Sequence, residues 1–125
     1  MNLSIKSHSF PKLSLLSITI AVALILILIC YTTLPIYAQN SAEEYFYSGV
    51  EKADSRDYQG AIKNFDKAIK IDPKLAVAYY NRGVAKGNLG DYKAAIEDYN
   101  KAIEVNPKYA DAYYNRGVVK VKLSD

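Results

Sequence analysis

Two regimes of hydrophobic patterning divide the chain. From Leu13 to Tyr31, 19 consecutive residues carry no charge, whereas after Ser41 small and apolar residues recur every three or four positions. In the second regime Ala61, Ile62, Phe65, Ala68 and Ile69 fall at that spacing, and so do Ala95, Ile96, Tyr99, Ala102 and Ile103. This is the signature of helices that bury one stripe. Ala76 to Leu89 contains no proline and sets Tyr79, Arg82, Gly83 and Lys86 on one side, which predicts a further helix. The breaks between these stretches have physical causes. Gly90 suits the residue past a helix C-terminus, and Asp57 and Asp91 can cap the following helix by accepting a backbone N–H. Asp72-Pro73 and Asn106-Pro107 end helices, because proline disfavours helical geometry in the residue before it.

The first regime reads as an N-terminal hydrophobic helix. Rising ~1.5 Å per residue it would reach about 28 Å, close to the ~30 Å of a bilayer core. Lys6, His8 and Lys12 precede it and no charge follows until Glu43 and Glu44, so the positive-inside rule places everything downstream outside the cytoplasm. Two readings of residues 1–38 stand side by side: a signal peptide cleaved after Ala38, or an uncleaved N-terminal transmembrane anchor. Pro35-Ile36-Tyr37-Ala38 supplies the small exit residue, but Ile36 stands where a second small one is preferred. Ile29 before Cys30 argues against a lipid-modified cysteine and for a buried apolar thiol.

The second regime repeats itself. Tyr79-Tyr80-Asn81-Arg82-Gly83-Val84 returns as Tyr113-Tyr114-Asn115-Arg116-Gly117-Val118, and Pro73-Lys74 as Pro107-Lys108, each shifted by 34 residues. Laying 42–75 on 76–109 gives 14 identities in 34, and 76–91 on 110–125 gives 11 in 16. Each unit is a helix pair. Tyr45, Gly49, Ala61, Phe65, Ala68 and Pro73, then Tyr79, Gly83, Ala95, Tyr99, Ala102 and Pro107, resemble the 34-residue pattern of the tetratricopeptide-repeat (TPR) family. The resemblance covers 42–125 and implies an all-α, right-handed α-solenoid: repeat 1 at 42–75, repeat 2 at 76–109, and the first helix only of repeat 3 at 110–125. The small Gly49 or Gly83 and Ala61 or Ala95 are expected to let paired helices approach, with Tyr45 or Tyr79 beside them.

Two positions depart from the family. Its leucine before the glycine is Ser48, Arg82 and Arg116 here, and its second aromatic is Lys52, Lys86 and Lys120. The expectation is that the long basic chains bury their stems and keep their charges in water, with looser packing. Asp66 with Lys70, and Glu97 with Lys101, stand four apart on the second helices as solvated pairs. The last helix carries Tyr113, Tyr114, Val118, Val119, Val121 and Leu123, apolar surface where a partner helix normally sits.

In TPR proteins the first helices line a concave groove. Carried over by residue, the resemblance implies Phe46, Tyr47, Val50 and Asp54 from the first unit, Tyr80, Asn81, Val84 and Asn88 from the second, and Tyr114, Asn115, Val118 and Lys122 from the third. Aromatics there offer contact area at low entropic cost. Asn81 and Asn115 resemble the asparagine rows that hold an extended peptide, since an amide can both donate and accept. Chaperone-tail receptors of the family need several Lys and Arg at such positions. Lys122 alone does not make that clamp.

Composition narrows the function. Removing Lys6 and Lys12 from the 16 basic residues leaves 14 − 13 = +1 after residue 40, which is too little charge for phosphate-driven nucleic-acid binding. Cys30 and His8 are the only residues of their kinds and both lie in the N-terminal segment. The repeat region therefore lacks thiol and imidazole, so no enzyme activity, metal site or cofactor is expected. The carboxylates lie on helix surfaces beside lysines, and no pair is set apart as acid and base. The sequence thus points to a scaffold that binds a protein or extended peptide outside the cytoplasm, periplasmic, secreted or membrane-anchored. A structural element self-associating through its last helix, or an accessory fragment of a longer TPR protein, are the alternatives. The Tyr-Ala-Gln exit together with the Tyr-Tyr-Asn-Arg-Gly phrase resembles exported bacterial TPR proteins, cyanobacterial ones included.

Overall fold

The structure, a computed structural model, describes residues 14–124, with the side chains of 34–40 left out. Lys6, His8 and Lys12 and the side chains around Ala38 therefore lie outside the described residues. Among the described residues five helices follow one another: α1 (Leu15–Asp54), α2 (Tyr58–Ile71), α3 (Ala76–Asn88), α4 (Tyr92–Val105) and α5 (Ala110–Ser124). The expected N-terminal helix and first repeat helix are one helical span, α1; in sequence only Pro35 among the strong breakers separates them. The chain divides into two compact units, Met1–Leu34 and Pro35–Asp125.

In the first unit the stretch Leu15–Thr33 has a mean hydropathy of 2.7 and is the one described helix segment long and apolar enough to cross a membrane. Most of its side chains, Cys30 among them, are exposed, as an apolar run that meets its surroundings and not a protein core would be. The few hydroxyls turn back on their own helix: Thr19 donates to Leu16 O at 2.8 Å and Thr33 to Ile29 O at 2.8 Å. That satisfies their polarity without water, as an apolar surrounding requires.

The second unit is built from capped helix pairs. Asp57 accepts from Gly60 N at 2.9 Å to start α2, and Asp91 accepts from Ala94 N at 3.1 Å to start α4. At the other ends Asp72 and Asn106 leave helical geometry while their N–H groups still reach Ala68 O and Ala102 O. Their side chains then receive Lys74 N and Lys108 N, which closes the turn into the next helix. The turn before α4 uses Gly90 at φ +83°, and its counterpart before α2 forces Arg56 to φ 63°.

Two small cores result. Ala61, Phe65 and Ala85 are buried with Phe46, Val50 and Ile62 packed against them, and Ala95, Tyr99 and Val119 with Tyr80, Val84 and Ile96. The aromatic of each second helix lies over the glycine of its first helix. A Cβ on Gly49 would stand 2.6 Å from Phe65 Cε1, and one on Gly83 would stand 2.9 Å from Tyr99 Cε1. Close approach is thus glycine against ring, with the Ala95 carbonyl 3.2 Å away, more than glycine against alanine.

Of the basic departures, Lys120 is exposed and Lys52 partly so, as expected, whereas Arg82 and Lys86 behave differently. Arg82 is not a snorkelling chain. Its Nε and Nη2 donate to Asp98 at 3.0 and 2.5 Å and its Nη1 to Asp66 at 2.6 Å, and Lys86 joins Asp98 at 2.8 Å. The side chains of Arg82 and Asp98 are only 17% and 4% exposed, so a buried carboxylate, not water, takes the charge. Ser48 and Arg116 keep the same geometry in milder form, accepting from Asn64 Nδ2 at 2.9 Å and donating to Asn100 Oδ1 at 2.7 Å. The solvated pairs are also redistributed: Asp66 turns to Arg82, and Lys101 pairs with Glu104 at 2.6 Å.

Candidate functional site

Five of the twelve groove positions come together in one cleft. Val84 and Asn88 of α3 face Asn115, Val118 and Lys122 of α5 around a space of about 150 Å³. Tyr92, Tyr99 and Val119 complete its lining, with Gly87. None of these four was among the expected positions: Tyr92 and Tyr99 belong to a second helix while the groove was read from first helices, and Gly87 and Val119 lie on first helices but beside the positions carried over. A signal existed: the aromatic that fills the glycine notch must also show an edge to whatever lies between neighbouring first helices.

The amides are held ready. Asn88 donates Nδ2 to Val84 O at 3.0 Å, and Asn115 donates to the Tyr80 hydroxyl at 2.8 Å. One amide hydrogen of each is used for positioning, and the carbonyl oxygen remains an acceptor toward a ligand. Asn81, expected in the groove, donates instead to Val77 O at 2.8 Å within its own helix and does not line the cleft.

Tyr80 is a wall and not a ligand-facing tip. Its ring lies 5.9 Å from Tyr99 and 5.0 Å from Tyr109, and its hydroxyl is engaged by Asn115. Burial, and then the neighbouring Asp111, push its phenol above the ordinary value, with the Asn115 bond opposing. Tyr99 is pushed up to about 12 by burial and then by Tyr80 and Asp98, so it stays a neutral surface at physiological pH. The one cation of the cleft is Lys122, whose Nζ sits 5.9 Å from the Tyr92 ring centroid. That contact keeps the ammonium over the cleft rim.

The remaining positions separate. Phe46 and Val50 pack into the first core, Phe46 with its ring 5.9 Å from Phe65. Tyr47 and Asp54 on α1 and Tyr114 on α5 are exposed. Tyr47 makes an edge contact to Phe46 with ring centroids 5.3 Å apart. Among the described residues no group of three or more His, Cys, Asp or Glu is placed to hold a metal.

This architecture has close counterparts. The sequence profile described as TPR repeat matches residues 53–90 and 88–124. The TPR2B domain of yeast Sti1, solved as a complex with pHsp70, is 34% identical with a TM-score of 0.65, over 66% of this chain and 66% of that one. The first TPR of Spaghetti (RPAP3), bound to the HSP90 peptide SRMEEVD, is 28% identical with a TM-score of 0.67, over 68% of each chain. YrrB, described as a TPR protein with an unusual peptide-binding site, is 29% identical with a TM-score of 0.61 over 64% of this chain, which spans only 41% of YrrB. No curated protein matches. The repeat profile, the glycine notches and the paired helices agree, and the chain belongs to the TPR repeat family.

Proposed function

We propose that this chain is a non-catalytic scaffold that holds an extended peptide, or a peptide segment of a partner protein, in the cleft between α3 and α5. The observation that carries the reading is the convergence of Asn88, Asn115 and Lys122 over an apolar floor of Val84, Val118 and Tyr99. Apolar area supplies contact and the amides fix a peptide backbone, the usual division of labour in such sites. TPR domains similar to this one are solved with bound peptides, which supports a protein-interaction role. With one cation at the cleft, an acidic tail such as SRMEEVD is a poor fit, and a neutral extended segment a better one.

The scaffold works outside the cytoplasm, as an exported bacterial protein. The support is the uncharged run with basic residues only before it, and the hydroxyls of that helix satisfied internally. Residues 1–38 act as leader or anchor, with repeats at 42–75, 76–109 and 110–125 beyond them.

The test is a display library of extended peptides selected on the full chain in detergent micelles. Selected peptides should lose at least about tenfold in affinity, or ~1.4 kcal/mol, on Asn88→Ala with Asn115→Ala while helicity is unchanged. Failure to select any peptide, or binding indifferent to the two asparagines, overturns the cleft assignment. Mass and fractionation of the product in a bacterial host decide location: a soluble species starting at Gln39 is a free adaptor, a membrane species retaining Met1 is a tethered one, and a soluble cytoplasmic species starting at Met1 overturns export.

A further inference from the structure

The row that supplies Asn88 and Lys122 to the cleft has a third member one repeat earlier, at Asp54. Steps of 34 residues connect the three, and each stands in the last turn of a first helix. One turn before them come Val50, Val84 and Val118, the same residue in all three helices. Beside that constant apolar row, the last-turn row runs acid, amide, base. The helix that bears the acid is packed on its neighbour, since Phe46, Val50 and Ala53 of α1 lie against the core that contains Ala85 of α3.

Neither end charge serves the fold. Asp54 is exposed, and among the described residues no ion pair reaches its carboxylate. Lys52 of the same turn is committed to Asp57 at 3.2 Å. An acid in a last turn also faces the negative end of its own helix dipole, so α1 gives Asp54 no compensation. Glu51, a turn before it, adds to the same sign: it is exposed and in no ion pair, where α3 and α5 bury Ala85 and Val119. At the other end Lys122 has no carboxylate partner among the described residues and rests over the Tyr92 ring.

We propose that the groove selects a peptide by an opposed pair of charges, a basic residue over Asp54 on α1 and an acidic residue over Lys122 on α5. This rests on the peptide-scaffold reading and adds the ligand's charge pattern and its orientation across the helices. Packed helices stand about 10 Å apart, so two steps make about 20 Å. An extended chain rising ~3.3 Å per residue covers that in about six residues. Between the charged ends the segment crosses Asn88 and Asn115, which offer amides to its backbone and no charge. The two ligand charges cancel, in keeping with a segment of no net charge.

The probe is a display library of random extended peptides selected on the full chain in detergent micelles, with enriched peptides then titrated by fluorescence anisotropy. Enriched sequences should carry a base and an acid about six positions apart. Asp54→Lys should weaken such a peptide at least about tenfold, and replacing the peptide's base by glutamate should recover binding. Lys122→Glu should act likewise, with recovery only when the peptide's acid is replaced by lysine. Both positions are exposed, so helicity should not change. Peptides that depend on Asn88 and Asn115 yet carry no such pair, or that tolerate both reversals, overturn the charge pattern and leave the peptide-binding reading standing. A loss that neither replacement recovers does the same. Enrichment of no peptide overturns both.

Discussion

Helices α3 and α5 share the phrase Ala-x-Ala-Tyr-Tyr-Asn-Arg-Gly-Val, yet three of the shared residues live in different environments. Tyr80 is packed between Tyr99 and Tyr109 and hydrogen-bonded, while Tyr114 is 73% exposed. Gly83 lies under a ring and Gly117 under nothing. Arg82 holds two carboxylates and Arg116 one amide. Identity is the same and neighbours differ, so in a stacked array a residue's role belongs to the interface it meets.

The sharpest way to break this comparison is to remove the ring that separates the two environments. Tyr99 is 2% exposed, and Tyr99→Ala should cost about 3–5 kcal/mol. Tyr114→Ala, at an exposed site, should stay within about 0.5 kcal/mol. Urea denaturation of the full chain in micelles, followed by circular dichroism, reads both; equal losses would mean the two tyrosines are equally supported.

Filling the glycine notches tests the same contrast from the other side. Gly83→Leu drives a side chain into Tyr99 and the Ala95 carbonyl and should destabilise by ~1–3 kcal/mol. Gly117→Leu enters open space and should be within about 0.5 kcal/mol of the parent. A large loss at Gly117 would show that something already covers α5.

The smallest effect concerns the turns and compares the first pair with the second. Arg56 adopts the left-handed conformation that Gly90 adopts one repeat later. Left-handed geometry costs a side-chain-bearing residue ~1–2 kcal/mol. Glycine returns part of that gain as added chain entropy in the unfolded state. Arg56→Gly should therefore raise stability by about 0.5 kcal/mol, visible as a small rise in the urea midpoint, while Gly90→Arg should lower it.

Much of the fold was legible because the code is local. The 34-residue period, the capping aspartates Asp57 and Asp91, and the proline stops need only short-range patterns, and the buried stripes through Phe65 and Tyr99 follow helical spacing. The Arg82 network escaped for a physical reason. Its partners Asp66 and Asp98 lie 16 residues to either side, a separation that corresponds to no helical or strand period and becomes a contact only once three helices are stacked. The cleft was half legible for the same reason. Asn88, Asn115 and Lys122 are visible as first-helix positions, but Asn81, which makes the same bond to its own helix as Asn88, lies outside the lining, and Tyr92 and Tyr99 enter from the neighbouring second helix.

The equal steps 66, 82 and 98 also restrict how such a chain can change length. One residue inserted within α3 ahead of Arg82 would swing that guanidinium about 100° around the helix and away from both carboxylates. A whole additional 34-residue unit would instead carry its own arginine or serine and its own acceptor, and leave every existing contact in phase. Growth of this protein is thereby quantised: the shared guanidinium works as a reading frame written in space, one that tolerates multiples of the repeat and punishes anything smaller.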